Sequence, residues 1–157
     1  MSDELLQISD NNFWYTIVEK YHNKGGVYKV IAVRNGQPRV INRLLGSDHD
    51  GVLYIGNTTS FLNRIVILKK STAPGYISST HEFGTQYKEH PAIQVQYPFD
   101  ELFIELLSND NPEDFERREL KKYYDKFGEL PPFNNHNPQT ALHDSWSEDG
   151  SLESVVG

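Results

Sequence analysis

The chain has 157 residues, a net charge of −7 and no cysteine. This allows one domain with its own core and excludes disulfide scaffolds, thiolate zinc sites and cysteine nucleophiles. The 22 acidic against 15 basic residues argue against a protein that simply coats nucleic acid, because phosphate contacts make such proteins basic. No apolar run approaches the ~20 residues a membrane span needs, and "MSDELLQISD" lacks the basic and apolar regions of a secretory signal, so a cytoplasmic location without a membrane partner is expected.

Along the chain, Leu5, Leu6 and Ile8, then Phe13, Trp14, Ile17, Val18 and Tyr21, recur at helical spacing, with Asp10 to Asn12 between them. Residues 1–22 read as a helical N-terminal extension in two pieces. "GGVYKVIAV" (25–33) is rich in β-branched residues and reads as a buried strand. Asn35-Gly36 marks a hairpin turn. "VINRLL" (40–45) reads as a short strand, "GSDHDG" (46–51) as a loop and "VLYIG" (52–56) as a second firm strand. A helix over 59–70 follows, capped by Thr58 or Thr59, with Phe61, Leu62, Ile65 and Leu68 as its apolar stripe.

Residues 76–88 read as a weaker helix interrupted by Gly84. In "AIQVQYPF" (92–99), Ile93, Val95, Tyr97 and Phe99 alternate as in a strand, and "ELFIELL" (101–107) fits either strand or helix. Asn111 as cap and Pro112 as first helical residue open a helix that Gly128 ends after Phe127. "ELPPFNN" reads as extended. After Lys126 no Lys or Arg occurs, and residues 136–157 carry Asp144, Glu148, Asp149 and Glu153, an acidic tail expected to be disordered. The fold class expected is α/β (α+β), a small, mainly antiparallel sheet of three or more strands flanked by helices.

Four features stand in order: "GVY" (26–28), "YIG" (54–56), Arg64 eight residues after Gly56, and a helix with Glu116 and Glu119 closed by "FGELPPFNN". As an ordered set over residues 26–135 they resemble the GIY-YIG nuclease family, which makes 23–135 one nuclease-like domain. Two departures stand out. Between Tyr28 and Tyr54 lie 25 residues, where the family's gap is short, so about 34–51 reads as an insertion, a hairpin with its own role in substrate contact. Leu68 stands where many members carry histidine or tyrosine one turn after the arginine, and His81 is the nearest substitute.

The resemblance implies roles. Tyr28 acts as general base or positions the water, Tyr54 orients the nucleophile or binds phosphate, and Arg64 stabilises the pentavalent phosphate. Glu116 binds Mg²⁺ or Mn²⁺, Asn134 braces the site, and Gly26 and Gly56 allow close backbone approach. These residue types suit phosphodiester hydrolysis, which needs a proton acceptor, a guanidinium clamp and a carboxylate that holds a hard cation. Glu116 is favoured over Glu119 because it shares a helix face with Leu120, Tyr123 and Phe127, whereas Glu119 is expected to rotate away among Arg118, Lys121 and Lys122. The function expected is a metal-dependent DNA endonuclease, as a homodimer or with a targeting partner. The alternatives are a non-catalytic DNA- or protein-binding module with the same fold, and an interaction domain whose acidic tail competes with DNA.

Overall fold

The computed structural model describes residues 4–75 and 81–134; the acidic tail and residues 76–80 lie outside the described residues. In chain order the elements are β1 (Leu6–Gln7), α1 (Phe13–Tyr21), β2 (Gly26–Arg34), β3 (Gln37–Pro38), β4 (Ile41–Arg43), β5 (Gly46–Asp48), β6 (Val52–Thr58), α2 (Phe61–Thr72), α3 (Glu82–Glu89), α4 (Pro91–Gln96), β7 (Leu102–Ser108) and α5 (Pro112–Phe127). A 3₁₀ turn at Phe99–Glu101 precedes β7, and another closes the described chain at Pro132–Asn134.

Strand β2 is the hub. It pairs antiparallel with β7 from Gly26↔Ser108 to Ala32↔Leu102, and with β6 from Gly26↔Thr58 to Ile31↔Val52. Beyond the Asn35-Gly36 turn, β3 folds back on its far end, and β1 extends the sheet past β7 to five strands. Both faces of β2 are covered, which is why it reads as a nearly continuous apolar run rather than an alternation. Tyr28, Val30 and Ala32 pack with Phe13, Ile17, Phe61, Ile65, Leu68 and Phe83 from α1, α2 and α3. Val27, Ile31 and Val33 pack with Leu120, Tyr123 and Phe127 of α5. The mixed α+β fold is therefore a sheet between two layers of helix, as the sequence reading has it.

The third principal strand is not where the alternation in 92–97 puts it. That segment is helix α4, with Pro91 at its first turn and Pro98 just beyond its end. The strand is β7, whose Leu102, Ile104 and Leu106 face one core while Phe103 and Leu107 face the other. A run that feeds both cores lacks one-face periodicity, so its pattern alone fits strand or helix. At the N-terminus, α1 forms as expected. Leu6 and Gln7 instead pair with Ile104 and Phe103, because β7 offers a free edge that satisfies their backbone better than one helical turn would.

Smaller corrections are local. Ser60, not Thr58 or Thr59, caps α2, its Oγ accepting from Asn63 N–H at 3.2 Å. Gly84 does not interrupt α3 but lies in its first turn. "GSDHDG" contains β5, which forms a hairpin with β4, and the end of "ELPPFNN" tightens into the 3₁₀ turn. The hairpin docks on the end of α5: Leu45 N–H donates to the Phe127 carbonyl at 2.9 Å and Arg43 pairs with Glu129 at 2.8 Å. No described helix is long and apolar enough to cross a membrane.

Candidate functional site

The register of the β2–β6 ladder sets the geometry of the site. Tyr28 opposes Gly56 and Val30 opposes Tyr54, so strand parity puts Tyr54 on the α1–α3 face with Tyr28. The ladder shifts only beyond this point, where Ile31 opposes Val52 and Leu53 is an extra residue on β6. Any side chain at Gly56 would run into the tyrosine, since a Cβ there would lie 2.6 Å from Tyr28 Cζ and Oη. Gly26 is needed for the same reason against backbone, with the Leu107 carbonyl oxygen 2.1 Å from where its Cβ would be.

Four of the expected site residues touch. Tyr28 Oη lies 2.7 Å from His81 Nε2, and Arg64 Nε donates to the same oxygen at 3.4 Å. Ring centroids are 6.1 Å apart for Tyr28 and Tyr54 and 5.4 Å apart for Tyr54 and His81. His81 caps α3: its Nδ1 accepts from the N–H groups of Phe83, at 3.1 Å, and Gly84, at 3.5 Å. Ser60 starts α2 so that Arg64, one turn in, reaches the cluster.

Burial dominates the electrostatics. It pushes Tyr28 up to about 12, with the hydrogen bond and charge of Arg64 pulling down and Glu116 pushing up. Tyr54 is raised well above its ordinary value by burial, then by the neighbouring Tyr28 and the Glu82 carboxylate. Burial and then the Arg64 charge lower His81 to about 3. At neutral pH the cluster is two phenols and a neutral imidazole beside a guanidinium.

Glu116 approaches from the α5 side of the sheet. Asn57, whose Cα partner is Val27, turns to that side, and its Nδ2 donates to Glu116 Oε1 at 2.8 Å. Burial pushes the Glu116 carboxyl up to about 7; the Asn57 amide lowers it and the charges of Glu82 and Glu113 raise it further. Glu119 is not rotated away as expected. Its side chain reaches Lys29 on β2 at 2.8 Å and Lys122 at 3.0 Å, and only 12% of it is exposed. Burial would raise its carboxyl, but the two lysines hold it below the ordinary value. Glu119 lines a cavity of about 270 Å³ with Lys29, Lys122, Lys126 and Tyr123, and it engages two of those three lysines, Lys29 and Lys122.

Among the described residues no group of three His, Asp or Glu side chains is placed to hold a metal ion. Glu116 nonetheless fits a hard cation of the magnesium kind, which takes one or two carboxylates and keeps several waters. Its hydrogen bond comes from a neutral amide, and two neighbouring acids oppose its ionisation.

Asn134 stands outside the cluster. It is buried, and its amide pairs with one residue of β6: Oδ1 accepts from Ile55 N–H and Nδ2 donates to the Ile55 carbonyl, both at 2.9 Å. It acts as a one-residue strand along the edge of β6, one step from Gly56. Asn134→Ala removes both bonds and leaves a buried N–H and C=O without partners, at about 1–3 kcal/mol each. Urea unfolding is expected to register a loss of about 2 kcal/mol or more; an unchanged midpoint would show that the edge is hydrated instead.

Sequence reasoning gave no role to Asn57 or to Glu82. Glu82 is exposed, yet its charge is felt at both Tyr54 and Glu116. Asn57 follows "YIG" directly, a signal that strand parity makes readable once β6 is aligned with β2. No protein-family model, no curated protein and no solved structure matches this chain.

Proposed function

We propose that the chain is a metal-dependent endonuclease that hydrolyses phosphodiester bonds in DNA, built like the GIY-YIG nucleases its motifs resemble. The observation that carries this reading is the direct contact of Tyr28 with both Arg64 and His81, with Tyr54 against the same rings. These residues lie far apart in sequence and meet only at "GVY" and "YIG" on paired strands.

The roles follow from chemistry. Arg64 holds non-bridging phosphate oxygens and offsets the charge that builds up as water attacks. Tyr28 Oη stands beside that guanidinium and orients the attacking water; as general base it acts in its ionised form, which Arg64 stabilises, and becomes the phenol by taking the water's proton as the new P–O bond forms and the old one breaks. Glu116 holds Mg²⁺ or Mn²⁺, and Asn57 fixes the orientation of its carboxylate. When bound, the ion supplies Lewis acidity to the phosphate and its leaving oxygen. Asn134 keeps β6 in register so that Tyr54, Gly56 and Asn57 stay aligned.

A supercoiled-plasmid assay tests the reading at low salt, where an acidic protein's contacts with DNA are least screened. The parent is expected to nick plasmid with Mg²⁺ and not with EDTA, and Glu116→Gln is expected to be inactive with either. A parent that leaves plasmid intact with Mg²⁺ and with Mn²⁺ would overturn the proposal.

A further inference from the structure

We propose that His81 is a fixed hydrogen-bond donor to Tyr28, its single ring proton held on Nε2 by the first turn of α3. The role given to Tyr28 rests on the nuclease reading; the orientation of this hydrogen bond does not.

A neutral imidazole carries one proton, so one ring nitrogen donates and the other accepts. His81 Nδ1 faces the N–H groups of Phe83 and Gly84 in the first turn of α3. Both are donors, so Nδ1 must present its lone pair and the ring proton must sit on Nε2. That nitrogen is 2.7 Å from Tyr28 Oη, which therefore accepts. A second ring proton would have to stand against two backbone N–H groups, inside a ring that is 0% exposed and near Arg64. His81 therefore cannot take a proton from Tyr28 through either nitrogen.

Tyr28 Oη thus accepts from His81 and, at 3.4 Å, from Arg64. Both donors favour the ionised oxygen, and as a phenolate it keeps one further lone pair for the attacking water. His81 is a positioning residue: it orients Tyr28 and does not itself take the proton.

Three measurements on the full chain test this. Long-range ¹H–¹⁵N NMR of the DNA-free protein is expected to show the Nε2–H tautomer at His81; the Nδ1–H tautomer overturns the proposal. His81→Asn keeps a good α3 cap, since asparagine is favoured at that position, and removes the donor. The Tyr28 ¹³Cζ resonance is expected to move in this variant while far-UV circular dichroism is retained; an unmoved resonance overturns the proposal. In the cleavage assay His81→Asn is expected to lower kcat about tenfold or more at a KM close to the parent's, as loss of a bond to a charge-bearing oxygen does; a parental kcat overturns it. The two NMR measurements need no DNA, so they decide the orientation even where the nuclease reading fails.

Discussion

Glu116→Gln is expected to make the metal-free protein more stable, by about 3 kcal/mol at pH 8 and by nothing at pH 4. The carboxyl is pushed from 4.5 up to about 7, chiefly by burial, and each unit corresponds to about 1.4 kcal/mol. Below pH 4.5 both folded and unfolded chains carry the protonated acid, so parent and variant agree. Between pH 4.5 and about 7 the unfolded chain has lost a proton that the folded chain still holds, and the parent's stability falls as pH rises. Above 7 the difference is constant. Glutamine keeps the shape and still accepts from Asn57 Nδ2, so the comparison isolates the charge. Urea unfolding of both proteins across pH 4–8 measures it. Adding Mg²⁺ at pH 8 is expected to stabilise the parent and not the variant, because an ion that binds only the folded state adds its binding free energy to folding. Parallel stability curves without metal would make Glu116 an ordinary surface acid.

Arg64→Ala is expected to lower plasmid cleavage about a hundredfold or more while costing little stability. Loss of one donor to a developing phosphate charge is worth a few kcal/mol of barrier. In the fold, by contrast, Arg64 is half-buried and gives up one hydrogen bond at 3.4 Å, so the loss of stability is expected to stay near 0.5 kcal/mol. Arg64→Lys is expected to recover only part of the activity, since a point charge cannot reach both Tyr28 and a phosphate as the guanidinium fork does. Cleavage equal to the parent's in Arg64→Ala would remove the clamp from the mechanism.

Much of the fold is legible because its signals are local. The β-branched runs of β2 and β6, the Asn35-Gly36 turn, and the Asn111, Pro112 and Gly128 punctuation of α5 all lie within the elements they define. The segment 92–97 misleads because six alternating residues look the same whether a sheet or a helix face receives them. The prolines on either side and the docking of α4 beside α3 decide for helix.

The order of "GVY", "YIG", Arg64 and the glutamate helix is a property of the sequence alone, and so are the net charge and the absence of thiol chemistry. What the side chains do to one another is decided by strand register. The pairing of Tyr28 with Gly56 and of Val30 with Tyr54 puts both tyrosines on one face, and the pairing of Lys29 with Glu119 joins residues 90 positions apart. Asn134 meets Ile55 across 79 positions, and His81 meets Tyr28 across 53. Periodicity and capping act within a few residues, through the backbone's own hydrogen bonds, so composition and spacing carry them. Partner choice between distant side chains depends on which edges and faces the sheet presents, and that exists only once the chain has folded.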